Sequence, residues 1–304
     1  NLTGDDQLVL SWLTPMEGLY SECLEVSKDG NQIEFDGLMV KRGDPPPAAY
    51  KIVPAGQAVT NQFKLNEAYS INAIGNYAVK LKSPIPDHVR KVDAPNLGAH
   101  AVSAKSQPRV HNLPGVSATI SIVAGKKKKA PKQTRGEAAR QLQATAAFSD
   151  TADDADAYAV PKAPTLVGGT DAQQTAVKTA HTNAYSYVVS SSGKLTGTSP
   201  LYIEWFGAFD DGRFRTVKGN YSSLQTAMTG TTFTYNLTGA GCQANWYAYT
   251  HKGGTTVWFC GAFWNAPATG TDSQAGTIVH ELSHAVCRTD DNAYGQANCR
   301  ALAR

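Results

Sequence analysis

The 304-residue chain has no apolar run near the ~20 residues that a membrane-crossing helix requires, so no membrane partner is expected. It also lacks a strong charge of either sign. With 28 Lys and Arg against 25 Asp and Glu the formal net charge is +3. Four of the cations sit together at Lys126 to Lys129, and the balance gives no argument for a nucleic-acid partner. The opening Asn1-Leu2-Thr3-Gly4 is not a basic segment followed by an apolar one, so in a secreted protein the leader would already be gone. Cysteine is sparse and odd in number, at five. What remains, 41% hydrophobic and 17% charged, is the composition of a soluble globular protein, and the length suits two domains of ~100–200 residues each.

Two absences near the C terminus narrow the chemistry. His280-Glu281-Leu282-Ser283-His284 places two imidazoles one helical turn apart on one face with a glutamate beside them, the arrangement that a zinc-dependent hydrolase needs. A catalytic zinc takes three protein ligands and keeps a fourth position for water. After Glu281 the chain has no further Glu, and after His284 no further His. The third ligand is therefore expected to be an aspartate, with Asp290 and Asp291 competing for the position. Glu281 is better placed as general base for a metal-activated water than as a ligand. The second ring nitrogen of each histidine needs an acceptor that the sequence does not reveal.

The pattern His-Glu-x-x-His followed by Thr289-x-Asp291-x-x-Tyr294-Gly295 resembles the aspzincins, the deuterolysin-type metalloendopeptidases. The likeness is greatest to the subgroup of fungal peptidyl-Lys metallopeptidases and bacterial exotoxin proteases of the Aeromonas type. It extends upstream through Cys260-Gly261-Ala262-Phe263-Trp264 and Gly270 to Thr277, back to Trp205-Phe206-Gly207, over roughly the last 140 residues. The resemblance implies one zinc held by His280, His284 and Asp291, with Glu281 as general base and Tyr294 as hydrogen-bond donor to the oxyanion. Two departures stand out. The glycine usual before the Thr is Arg288, and the chain stops at Arg304, before the acidic loop that bears on substrate choice in relatives. Lysine selection needs a carboxylate to meet the ammonium, and none is visible in this sequence.

The chain divides into three stretches. Residues 1–123 read as β structure, with short runs at Leu8 to Leu13, Ile33 to Phe35, Leu38 to Val40, Phe63 to Leu65, Tyr77 to Leu81 and Ala118 to Val123 between Asp-Gly and Pro-rich turns. An all-β sandwich is expected there. Residues 124–164 carry the lysine block, an Ala- and Gln-rich piece from Gly136 to Phe148 and the acidic stretch Asp150 to Asp156, and read as a linker with processing sites. In residues 165–304, Val177, Ala180, Ala184 and Val188, then Phe214, Val217, Tyr221, Leu224 and Met228, follow helical spacing. Strands are expected at Thr231 to Tyr235, Trp246 to Thr250 and Thr255 to Cys260, giving helices around a small antiparallel sheet, an α+β zincin-type domain. The helix bearing the histidines is expected to start near Thr271-Asp272-Ser273-Gln274, which has capping-box spacing.

Cys242 and Cys260 flank an apparent hairpin and Cys287 and Cys299 bracket the aspartates, so disulfides 242–260 and 287–299 are expected, with Cys23 left over. Together with the family resemblance, this gives a multidomain, secreted, extracellular zinc metalloendopeptidase in proenzyme form. Its N-terminal β-sandwich would be a propeptide that inhibits the enzyme intramolecularly, and its substrates would be proteins and peptides. The alternative is a secreted binding or adhesion protein whose zinc site is structural. Such a site needs four protein ligands, and it leaves Glu281 without a purpose.

Overall fold

The structure, a computed structural model, describes residues 1–82, 88–90, 117–122 and 160–303. The stretch expected as a linker lies outside these except for residues 160–164, and so do Lys126 to Lys129, the Gly136 to Phe148 piece and the acidic run.

The N-terminal part builds two antiparallel sheets. β1 (Gln7–Leu10) lies between β5 (Tyr50–Val53) and β7 (His88–Arg90). The second sheet runs β3 (Asn31–Ile33), β2 (Leu24–Lys28), β6 (Gly75–Leu81) and β8 (Ser117–Ile122). Asp29 and Gly30 both take positive φ, 52° and 80°, in the two-residue turn that an Asp-Gly hairpin uses. Phe63 to Leu65, expected as a strand, runs instead into the 3-10 turn Leu65–Glu67.

The C-terminal part packs helices on a five-stranded sheet. α1 (Asp171–Lys194) starts at a capping box between Thr170 and Gln173 and buries Val177, Ala180, Ala184 and Val188. α2 (Pro200–Phe206) is capped by Ser199, and α3 (Asp211–Gly230) by Asp210; α3 buries Leu224 and Met228. These stripes meet Ile278 and Leu282 of α5 (Gln274–Cys287), together with Tyr235, Val257, Phe259 and Phe263, in one core. His181 belongs to that core, its Nδ1 2.7 Å from the Tyr235 hydroxyl. α4 (Gly261–Trp264) and α6 (Gln296–Ala301) complete the set.

The sheet differs from the small antiparallel one expected. β9 (Thr165–Val167), β10 (Thr234–Asn236) and β12 (Thr256–Phe259) are mutually parallel; β11 (Trp246–His251) is antiparallel to β12. The fifth strand comes from the N-terminal part. β4 (Leu38–Arg42) pairs antiparallel with β11, with His251 opposite Leu38 and Trp246 opposite Arg42. Alternation makes this possible: Met39 packs into the N-terminal core with Val26, Phe35 and Tyr77, while Val40 packs with Trp246 and Tyr249. A sheet thus crosses the boundary expected at residue 123. Charges cross it too, since Lys82 and Lys252 both pair with Glu22 and Asp290.

Cys242 and Cys260 form a disulfide with Cα atoms 5.4 Å apart. The second expected bridge is absent. Cys287 is a free thiol at the end of α5 that donates to the Asn220 carbonyl at 3.4 Å, and Cys299, on α6, turns onto the Ala293 carbonyl at 3.6 Å. Closeness in sequence did not bring the two sulfurs together: Cys287 turns onto α3 and Cys299 onto the loop before α6.

Candidate active site

The site is built on α5 and the loop that follows it. Ser273 caps the helix, its hydroxyl accepting from the Gly276 amide at 3.0 Å, so His280, Glu281 and His284 fall on the second and third turns. The helix ends at Arg288, which takes the left-handed conformation, φ 55° and ψ 32°. Glycine does this without a Cβ penalty, which explains why a glycine suits this place. Arg288 offsets part of the strain with a 2.8 Å ion pair to Glu34 of the N-terminal part.

The reversal at Arg288 brings the next residues back over the helix. Asp291 Oδ1 lies 3.3 Å from His280 Nε2 and 3.5 Å from His284 Nε2, and the two Nε2 atoms are 3.1 Å apart. Asp290 faces away, paired with Lys82 at 3.0 Å and with Lys252. The acceptor that the sequence left unnamed is the Thr289 carbonyl, 2.7 Å from His284 Nδ1. In the neutral ring that bond keeps the proton on Nδ1, which donates to the carbonyl, and leaves the Nε2 lone pair facing Asp291 and His280. Two imidazoles and one carboxylate, with donor atoms all within 4.8 Å of one another, form a donor set that fits zinc.

Electrostatics follow from burial and from the shared carboxylate. Burial pushes the Glu281 carboxyl up to about 8. Burial would also raise Asp291, but the two histidines beside it hold it well below the usual carboxylate range. Burial opposes charge on both rings and lowers His280. For His284 the Asp291 carboxylate outweighs burial and raises it to about 9. The two rings are 3.1 Å apart, and charge on His284 adds to the lowering of His280, while the Thr289 carbonyl helps to raise His284.

The N-terminal part enters this site. The Tyr294 hydroxyl is 2.9 Å from Asp291 Oδ2 and 2.9 Å from the Val40 carbonyl oxygen, to which it donates. The Lys41 amide donates to Glu281 Oε1 at 3.2 Å, and Glu281 Oε2 is buried with no hydrogen-bond partner among the described residues. Arg42 is buried beside Tyr294, paired with Glu17 at 3.0 Å and lying over Trp12. Sequence reasoning marked Leu38 to Val40 as a strand but nothing in it pointed to Glu281.

A family profile described as lysine-specific metallo-endopeptidase, aspzincin type, matches residues 191–304. The extracellular protease of Aeromonas hydrophila is 30% identical over 285 residues, which cover 92% of this chain and 73% of that protein. The chain belongs to the aspzincin metalloendopeptidases. A peptidyl-Lys metalloendopeptidase of Grifola frondosa is 42% identical to this aspzincin over 145 residues, 46% of the chain and 41% of the fungal protein. A solved structure of a zinc peptidase from the same fungus aligns with 44% of the chain and 85% of its own, at 39% identity and a TM-score of 0.41.

Proposed function

We propose that the chain is the latent form of a secreted zinc metalloendopeptidase, shut by its own N-terminal part. The observation that carries this reading is the position of the Val40–Lys41 peptide bond. Its carbonyl receives the Tyr294 hydroxyl and its N–H is donated to Glu281, as the bond of a substrate would be held. β4 also covers the free edge of β11, where an extended peptide would add as a strand.

His280, His284 and Asp291 would hold a zinc ion, which would supply the Lewis acidity to polarise a peptide carbonyl and acidify a water. Glu281 accepts the proton from the attacking water and passes it to the leaving amine. Its reach to that nitrogen is supported by the 3.2 Å bond to the Lys41 amide, and a carboxyl raised to about 8 suits proton transfer near neutral pH. Tyr294 donates to the carbonyl oxygen as charge develops there. Asp291 Oδ2 lies 2.9 Å from the same hydroxyl, whose single proton can be donated to either the carboxylate or the carbonyl oxygen.

Release requires the hold of residues 1–123 on the site to be weakened, and cutting within 124–164, by the enzyme itself, is the step proposed. The uncut chain and the chain cut in that segment are compared on an unstructured protein substrate. The reading expects the cut chain to be at least tenfold faster; equal rates would remove the inhibitory role.

A further inference from the structure

We propose that Trp246 and Tyr249, backed by Trp258, form an apolar shelf on the catalytic part that selects the first and third residues before the bond to be cut and leaves the second unselected. The inference rests on the reading of Val40–Lys41 as a held substrate bond, which makes Val40, Met39 and Leu38 the first, second and third residues on that side. β4 lies antiparallel on β11, with Val40 opposite Tyr249, Met39 opposite Thr250 and Leu38 opposite His251. Side chains of a strand alternate between the two faces of its sheet, so Val40 and Leu38 share one face and Met39 takes the other.

The two faces meet different neighbours. Val40 is fully buried in a cluster with Trp246, Tyr249 and Cys260, and Leu38 packs against the same cluster. Met39 is buried too, but its neighbours are Val26, Phe35 and Tyr77 of the N-terminal core. A substrate brings no such core with it, so its second side chain gains nothing comparable. The rings around Val40 belong to the catalytic part, except Tyr20, which stands edge-on to Trp246 at 5.2 Å and leaves with the N-terminal part. Local features shape the shelf. Alternation counted back from Tyr249 turns Trp246 to the other face; the register slip between Trp246 and Ala248 makes Tyr247 an extra residue and brings Trp246 beside Tyr249. Tyr249 is fixed at its tip and on its face, the hydroxyl donating to the Ala240 carbonyl at 2.7 Å and the ring stacked on Trp258 with centroids 5.0 Å apart. The Cys242–Cys260 disulfide ties the loop after Ala240 to the end of β12, which carries Trp258. An aromatic surface held this rigidly favours an aliphatic side chain over a hydroxyl by the apolar area it removes from water.

The test uses the full chain, cut in the 124–164 segment, and peptides with the chain's own sequence from Asp36 to Asp44, unaltered or with a single Val40→Ser, Met39→Ser or Leu38→Ser change. A bound N-terminal fragment slows cleavage of all of them alike, so ratios of kcat/KM report the site itself. Val40→Ser should lower kcat/KM by about tenfold to a hundredfold and Leu38→Ser several-fold, with Met39→Ser within about twofold of the unaltered peptide. In the enzyme, Trp258→Ala removes the ring that backs Tyr249 and should shrink the Val40→Ser loss several-fold. The peptide series on wild type decides the matter even where that variant does not fold. A Met39→Ser loss as large as that of Val40→Ser, or no loss with Val40→Ser or Leu38→Ser, overturns this inference and leaves the peptidase reading standing. A folded Trp258→Ala enzyme that keeps the wild-type ratio does the same. Cleavage of the unaltered peptide only at a bond other than Val40–Lys41 overturns the held-bond reading, and no cleavage of any peptide overturns the peptidase reading; this inference falls with either.

Discussion

Glu22→Gln tests how the N-terminal part is held down. Glu22 is on that part, and its side chain is 7% exposed. It contacts Lys252 of the catalytic part, equally buried, and lies 3.6 Å from Lys82. Removing one partner of a buried ion pair costs about 3–5 kcal/mol when the other is left alone. Here Asp290 remains beside both lysines, and Lys82 is 31% exposed, so the penalty falls to about 2 kcal/mol, or roughly 30-fold in an equilibrium. The amide keeps the shape of the carboxylate, which confines the effect to charge. The assay is inhibition of the cut enzyme by the N-terminal fragment that remains bound to it, read as activity recovered on dilution. Glu22→Gln should release the fragment at roughly 30-fold higher protein concentration than wild type. Identical dilution curves would refute the idea that this cluster contributes to latency.

Three further outcomes follow from the site and its support. In metal-free protein Asp291 keeps a proton on His284 up to about pH 9, so zinc must displace it: apparent zinc affinity should rise about tenfold per pH unit below that value and level off above it, and titration calorimetry in two buffers should show proton release at pH 7. Arg288→Gly relieves a left-handed residue worth about 1 kcal/mol but deletes the partly exposed pair with Glu34, so the thermal midpoint should stay level or rise by a few degrees, and a large fall would mean that the pair matters more than the backbone. Replacing Cys242 and Cys260 by serine opens a loop of 18 residues' separation and should cost about 3 kcal/mol in denaturant unfolding, with no loss from replacing Cys287 or Cys299 beyond that of a small packed side chain.

Where local spacing decides structure, the sequence was legible. The stripe at Val177, Ala180, Ala184 and Val188 and the one-turn separation of His280 and His284 depend only on helical geometry and stand where the spacing puts them, while the cap is Ser273 rather than the Thr271 that opens the capping-box spacing. Asp291 and Tyr294 required the motif, because their approach to the histidines depends on a chain reversal at Arg288 that composition does not announce. Non-local pairings were not legible. Leu38 to Val40 signals a strand, but its partner β11 lies more than 200 residues away, and alternation alone cannot distinguish an N-terminal sheet from the edge of the catalytic one. Asp272 looked like part of a helix cap; its contact with Lys41, 231 positions away, could not be read there. The cysteines misled for the same reason, since proximity along the chain says nothing of which way Cys287 Sγ turns on its helix.

The central claim is that His280, His284 and Asp291 hold a zinc ion while Glu281 moves the proton. It is tested most directly by measuring bound zinc and casein hydrolysis on the same preparations of wild type and Glu281→Gln, each cut within 124–164 by an added protease. The account predicts about one zinc per chain in both, with hydrolysis abolished in the variant. Near-normal hydrolysis by Glu281→Gln, or loss of its zinc, would contradict it.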